Sequence, residues 1–386
     1  MCSKDGVTGG TRPARFEGLV VVPHNDGVAE SGVACSIAAR RDDHEAVCRH
    51  RRITGILKCV RGGCGWPHCA GSKDEPDALI AWFGEHGVAM ERIGLEAGPL
   101  SQWLHAGMVK AGLSVELIET RHVRSAFKTM PVKTDKKDAR GIAQLMRLGW
   151  FRPVHCKSLP AQEVRALLTA RKLIQGKLHD IEMSIRGILR GFGLKVEPTT
   201  RRTYAGRIRE LTAGHSTLEA IAASLLKVRD ALVHEFADFE RKLRAMARQD
   251  DNALRLMTTP GVGVLVALTF VAAVDAPERF RSSRAVGPHF GLTPKKYQSG
   301  ETDHSGRISK IGDGSVRTAL YEAANVILTR PVKGSDLKGW ALAVARRAGP
   351  RKARVALARK LAVVLHCMLR DRTNFIPHKV TPALAA

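Results

Sequence analysis

Lys133-Thr134-Asp135-Lys136-Lys137-Asp138-Ala139-Arg140 sets two carboxylates three residues apart in strongly basic surroundings. Thr134 is a candidate N-cap, and Ala139, Ile142, Ala143, Leu145 and Met146 follow at helical spacing. That pattern puts Asp135 and Asp138 on one face of a first helical turn. Such a pair suits a divalent cation, while Arg121, Arg124, Lys128, Lys133, Lys136, Lys137 and Arg140 suit a polyanion. The competing reading is a plain helix start, with acids favoured by the helix dipole and paired with neighbouring cations.

A third acid, Glu96, closes a predicted strand at 92–95 and is followed by Ala97-Gly98, where α/β folds expose chemistry. An edge-strand surface acid is the alternative. Ser299 lies between Gln298 and Gly300 in a polar, glycine-rich stretch read as a loop, with Lys295, Lys296, Arg307 and Lys310 close in sequence and Arg317 opening the next helix. On position alone it reads as a plain loop serine. Gly261-Val262-Gly263 precedes an apolar helix at 264–274. A Gly-x-Gly turn at a helix start offers N–H groups to phosphate, as in a helix-hairpin-helix contact.

The elements that must hold these residues differ along the chain. The 386 residues are 44% hydrophobic, enough for two or three domains with a sizeable core. A formal net charge of +25, spread over most of the chain, points to a nucleic-acid partner. The absence of a long apolar run or a signal-peptide pattern excludes a membrane role and leads to an expected cytoplasmic, nucleoid-associated location.

Residues 1–72 hold Cys2, Cys35, Cys48, Cys59, Cys64 and Cys69 and show little periodicity beyond a strand at 16–22. Cys59, Cys64, His68 and Cys69 lack the usual zinc spacing, and this stretch has the texture of a shifted reading frame or of disorder. From Asp74 the pattern is regular: helix 76–83, strand 92–95, helix 99–111, strand 115–118 and the Asp135/Asp138 helix, an α/β layer. Apolar stripes over 164–188 and 218–246 predict two long helices folding back as an antiparallel coiled coil or pairing between subunits. A basic helix is expected over 346–369, with Lys352, Arg354, Arg359 and Lys360 available for phosphates.

Taken in order, Leu95-Glu96-Ala97, Lys133-Thr134-Asp135-x-x-Asp138-Ala139, the helical stripes, Pro260-Gly261-Val262-Gly263, Gln298-Ser299-Gly300 and Gly306-Arg307-Ile308-Ser309-Lys310-x-Gly312 resemble the one-ten family of bacterial insertion-sequence transposases, the DEDD recombinases. The resemblance covers about Asp74 to Phe375. It implies an α/β plus α fold: a ribonuclease-H-like (resolvase-like) domain over 73–158, a coiled coil over 159–252 and a mainly helical C-terminal domain over 253–376 with a helix-hairpin-helix-like element. Residues 1–72 form an atypical segment and 377–386 a tail.

For the site, the resemblance implies that Glu96, Asp135 and Asp138 are metal ligands for Mg²⁺ and that Ser299 is a nucleophile. Lys133, Arg140, Gly261, Gly263, Lys295, Lys296, Arg307, Lys310 and Arg317 become nucleic-acid contacts. The partners implied are DNA, a guide RNA encoded by the element, and further copies of the chain in a dimer or tetramer. The family's first acid belongs to a Gly-Leu/Ile-Asp-Val strand, whereas Gly18-Leu19 is followed here by Val20, and Gly55-Ile56 by Leu57. A catalytically impaired nucleic-acid-binding remnant and a junction-resolving nuclease are therefore the alternative functions.

Overall fold

The computed structural model describes residues 19–23, 34–36, 58–60, 80, 90–128, 141–142, 144–332 and 334–378. The chain divides into two compact units, Met1–Lys157 and Ser158–Ala386.

The first unit is built on a five-stranded sheet in the order β3-β2-β1-β4-β5. Its strands are β1 (Leu19–Pro23), β2 (Ala34–Ser36), β3 (Lys58–Val60), β4 (Met90–Glu96) and β5 (Val115–Ile118). β1 runs antiparallel to both β2 and β4, whereas β4 and β5 are parallel, with Ile93 opposite Val115 and Glu96 opposite Ile118. Parallel neighbours cannot be joined by a tight turn. The crossover is α1 (Ser101–Lys110), whose Leu104 and Met108 are fully buried.

β4 carries three consecutive buried residues, Ile93, Gly94 and Leu95, the pattern of a strand covered on both faces. A Cβ on Gly94 would lie 2.8 Å from Ile118 Cδ1 and 3.0 Å from Met146 Cγ, so glycine lets the helical residues 144–147 close onto the strand. Val123 of α2 (Thr120–Ala126), Ile142, Leu145 and Met146 complete this core with Ile118.

The N-terminal segment contributes more than the single strand expected at 16–22. β1 overlaps that expectation, and β2 and β3 add two further strands, placing Cys35 opposite Cys59 in register. Each is three residues long, too short for alternation to show in sequence. The rest of residues 1–72, including the bulk of the proposed disorder and Cys64, His68 and Cys69, lies outside the described residues, as do most of the helix expected at 76–83 and residues 133–140.

The second unit is helical. α3 (Leu159–Gly191) and α5 (Ser216–Gln249) pair along their length. Arg171 meets Glu240 and Glu182 meets Arg229: eleven residues on along α3 is eleven back along α5, so the helices are antiparallel. α4 (Tyr204–Thr212), absent from the sequence reading, packs at their connected end. There the Arg229 side chain is only 3% exposed. It bonds Glu182 Oε1 at 2.8 Å and the Arg201 carbonyl at 3.0 Å, and lies 4.7 Å from the Tyr204 ring centroid.

α6 (Asp251–Met257), α7 (Val264–Val274), α8 (Val286–His289), α9 (Gly314–Thr329), α10 (Asp336–Ala348) and α11 (Pro350–Asp371) share one apolar core with the C-terminal turns of α5. The single helix expected over 346–369 is split by Gly349, at φ +85°, and Pro350, which starts α11. The expected tail at 377–386 begins pinned: Pro377 accepts from the Asp336 N–H, and His378 Nδ1 lies 3.0 Å from Asp336 Oδ1. Among the described residues, no helix is long and apolar enough to cross a membrane.

Candidate active site

Glu96 is the last residue of β4, partly buried at the strand's carboxyl end. The turn beyond it is fixed. Ala97 N–H donates to Ile118 O, Thr120 Oγ1 donates to Ala97 O at 2.8 Å, and Gly98 N–H donates to Ser101 Oγ at 3.0 Å. Beside it, β1 brings Leu19 opposite Leu95 and Val20 opposite Gly94. Val20, one of the two positions where the resemblance would allow the first acid, is thus one strand away from Glu96; the other, Leu57, lies outside the described residues. Asp135, Asp138, Lys133 and Arg140 lie outside the described residues. Among the described residues, no group of three His, Cys, Asp or Glu is placed to hold a metal ion.

Ser299 does not lie in a loop. Pro294–Ser299 forms β6 and Thr302–Ile308 forms β7, a two-stranded antiparallel hairpin. Ser299 is the last residue before a two-residue turn whose first member, Gly300, has φ +55°. A left-handed first position favours glycine, so Ser-Gly is the local signal that closes the hairpin. The strands are exposed from Pro294 to Arg307, and the tip stands in solvent.

The register sorts the side chains. Tyr297 pairs with His304 and Ser299 with Thr302, while Lys296 pairs with Ser305 and Gln298 with Asp303. By strand alternation, Tyr297 and Ser299 share a face with Thr302 and His304. Lys295, two residues before Tyr297, lies on the same side of its own strand, where the register with β7 shifts between Pro294 and Lys296. Consistent with this, a Cβ on Gly306 would lie 3.7 Å from Lys295 Cβ. On the other face Lys296 Nζ and Asp303 Oδ2 are 3.2 Å apart, so Lys296 is partly neutralised whereas Lys295 is on the serine's side.

The hairpin's base explains the Gly291-Leu292-Thr293-Pro294 and Ser309-Lys310-Ile311-Gly312 stretches. Ser309 N–H donates to Thr293 O at 2.8 Å and Lys310 N–H to Gly291 O at 3.1 Å. A Cβ on Gly291 would lie 2.3 Å from both Ile311 N and Ile311 O, and one on Gly312 would lie 2.2 Å from His289 O. Both glycines have positive φ, so neither could be replaced without moving backbone. Arg317, expected to contact nucleic acid, donates from Nη1 to the carbonyls of Phe290, Ile311 and Gly312 and clamps the two stretches together.

Asp313 caps α9 by accepting from Ser315 and Val316 N–H and meets Arg165 Nη1 of α3 at 2.6 Å. Burial pushes its carboxyl up, but the hydrogen bond and charge of Arg165 and the two backbone N–H groups outweigh burial and hold it below the ordinary carboxylate value.

In the Pro260-Gly261-Val262-Gly263 turn, Gly261 has φ +77°, and a Cβ there would meet Ala323 O and Ile327 Cγ1 at 2.8 Å. Its demand for glycine comes from close packing on α9. Gly263 is exposed and precedes the first turn of α7. Lys360 Nζ lies 4.1 Å from the Trp340 ring centroid, so this C-terminal cation is held by an aromatic face.

Sequence reasoning missed His304 and the Arg165–Asp313 link. The polar 294–308 stretch lacks the apolar alternation that would have announced the first; nothing local announces the second, which joins residues 148 apart.

Two family models and several curated relatives match this chain. The DEDD model of the IS110 group, described as Transposase, matches residues 69–193. A second model, described as Transposase IS116/IS110/IS902 family, matches residues 253–336, which include the hairpin. The transposase for insertion sequence element IS1111A of Coxiella burnetii is 30% identical over 287 residues, covering 72% of this chain and 77% of that protein. A probable family 20 transposase of Pseudomonas aeruginosa is 28% identical over 299 residues, covering 75% and 86%. The DEDD domain is ribonuclease-H-like, and DEDD transposases typically use a divalent metal. The chain belongs to the IS116/IS110/IS902 family of insertion-sequence transposases, enzymes of DNA transposition.

Proposed function

We propose that this transposase cuts and rejoins DNA through a phosphodiester formed on Ser299, with Glu96, Asp135 and Asp138 as the acids of a divalent-cation site. The observation that carries the reading is the position of Ser299, at the exposed tip of a rigidly based hairpin with Lys295 on its own face. Ser299 Oγ attacks phosphorus, the bond to the leaving deoxyribose oxygen breaks, and the bond energy is kept in the serine ester. A hydroxyl of a second DNA end then attacks that ester and frees the serine.

Oxygen donors such as these three carboxylates suit Mg²⁺, which when bound neutralises charge on the scissile phosphate. Glu96 fits such a site by its place at the carboxyl end of β4. The described helical residues 144–147 close onto β4 through Met146, which lies against Gly94 two residues before Glu96. Lys133, Arg140, Lys295, Lys296, Arg307, Lys310, Arg317 and the turn at Gly261 and Gly263 are read as the nucleic-acid contacts, serving DNA and an element-encoded guide RNA. Leu173 and Met183 on α3 and Ile221 and Val228 on α5 are exposed apolar groups, which favours a coiled-coil pairing of subunits through these helices.

Val20 opposite Gly94 favours a second reading, a DNA-binding remnant short of one acid. One experiment separates the readings: incubation with element-end DNA, guide RNA and Mg²⁺, followed by denaturing electrophoresis. A protein–DNA adduct in the wild type that is lost in Ser299→Ala is the expected result, and an adduct retained in Ser299→Ala overturns it. An adduct seen only in Val20→Asp identifies the remnant, and cleavage without any adduct identifies a junction nuclease.

A further inference from the structure

We infer that His304 is the general base that takes the proton from Ser299 Oγ. The inference rests on Ser299 being the nucleophile and adds the group that makes it reactive. A serine hydroxyl is a weak nucleophile unless a base removes its proton as the bond forms. The hairpin provides such a base on the same face. Ser299 pairs with Thr302 and Tyr297 with His304, so Ser299 and His304 are diagonal neighbours across the two strands. Diagonal positions lie about 7–8 Å apart at the backbone, within reach of an aromatic side chain.

The groups around His304 can be assigned in the same way. Tyr297, 64% exposed, stands directly across from it, with Thr302 and Gly306 at its flanks on β7 and Lys295 beside Gly306. The charged pair Lys296–Asp303 occupies the opposite face, and Glu301 lies in the turn. Among the described residues, neither Ser299 nor His304 makes a side-chain hydrogen bond or ion pair, to each other or to a third group, so both side chains are free to turn toward a phosphate. The remaining cation on the face, Lys295, is placed for the phosphate and cannot serve as the base while charged.

In the forward step the Ser299 proton passes to an imidazole nitrogen as the Oγ–phosphorus bond forms, and the deoxyribose oxygen departs with the bonding pair and takes a proton from solvent. In the return step an incoming DNA hydroxyl attacks the ester and its proton goes to solvent, while Ser299 oxygen leaves and reclaims the imidazolium proton. No further reactant is needed, and the same residue acts in both directions.

Activation of a serine can be read without DNA, RNA or metal, using a fluorophosphonate: Oγ bonds to phosphorus, fluoride leaves, and the proton passes to the base. Labelling of Ser299 in the full chain, located by peptide mass spectrometry, is expected in the wild type. It should slow by about a hundredfold in His304→Gln, in line with the contribution of a positioned base. Free imidazole should restore the rate in His304→Gly, which a merely structural role would not allow, and Tyr297→Phe should label at the wild-type rate. His304→Gln labelling as fast as wild type, or no labelling of wild-type Ser299, overturns the assignment of His304. The Ser299 reading falls separately, if Ser299→Ala still forms the DNA adduct.

Discussion

Replacing Gly312 by alanine tests whether the hairpin that carries Ser299 is held by backbone interlock. Gly312 has φ +74°, and a Cβ there would lie 2.2 Å from His289 O and 3.5 Å from Phe290 Cα. The left-handed backbone alone costs an alanine about 1–2 kcal/mol. The overlap adds roughly 1–3 kcal/mol, because the atom met is main chain and must move with its loop. A total of about 2–5 kcal/mol corresponds to a fall of very roughly 10 °C in Tm for a unit of this size. Two other glycines bracket the result. Gly300 has φ +55° with nothing within 4 Å of a built Cβ, so Gly300→Ala should cost only the conformational part, about 1–2 kcal/mol. Gly176, exposed in mid-α3 with open space around it, should gain about 0.5–1 kcal/mol as alanine. Thermal unfolding followed by circular dichroism would rank the three, and Gly312→Ala melting with Gly300→Ala would refute the interlock.

Other perturbations have equally definite outcomes. Arg229→Met should cost about 2–3 kcal/mol in urea unfolding by stranding Glu182 and the Arg201 carbonyl, and adding Glu182→Gln should recover part of that loss. His366 is buried, with Nε2 3.1 Å from Pro277 O and Nδ1 2.9 Å from Ser283 Oγ; burial is the main cause that lowers its pKa, outweighing the Pro277 bond. A lowered imidazole binds fewer protons folded than unfolded, so its contribution to stability is complete above its ordinary 6.5 and is lost as pH falls through the folded value. His366→Gln should show a flatter Tm against pH below 6.5. Asp313 is also depressed, so its contribution holds above the ordinary 3.8 and fades as pH falls further, which Asp313→Asn should abolish. Binding to double-stranded DNA should weaken with salt by close to one unit of log–log slope per phosphate contacted, and a flat titration would contradict the basic interface.

What sequence made legible is what local periodicity encodes. The apolar run at 264–274 became α7 with the same bounds, and strand 115–118 became β5, because each is long or apolar enough to declare its period. β2 and β3 stayed hidden because three residues carry no alternation, and α4 because a short helix between turns gives few periods to count. The Ser299 stretch was taken for a loop since its strands are exposed on both faces and lack the apolar alternation that normally marks a hairpin. Toward the proposed site, the strand ending at Glu96 is legible in the sequence, whereas Ser299 is singled out by the family resemblance and not by its spacing. The roles of Gly261, Gly291, Gly312 and Arg317 are not legible there, since each is set by backbone brought close from elsewhere in the fold.

An isolated two-stranded hairpin is marginal in water, and this one buries almost none of its surface. Its precision must therefore come from its root. There the two glycines remove the Cβ atoms that would separate the strands' ends, and Arg317 ties three carbonyls from both sides. Asp313, one residue beyond Gly312, then joins that root to Arg165 on α3 while capping α9. Ser299 is thus connected through a short chain of polar contacts to the helix pair on which subunit pairing is proposed. A shift of α3 on assembly would reach the hairpin through Asp313 before it reached any apolar contact of the strands. Arg165→Met should accordingly leave Ser299 labelling by the fluorophosphonate intact while lowering the yield of rejoined DNA, which needs the hairpin held against a partner strand. Equal loss of both would instead mean that the Arg165–Asp313 link merely keeps the hairpin folded.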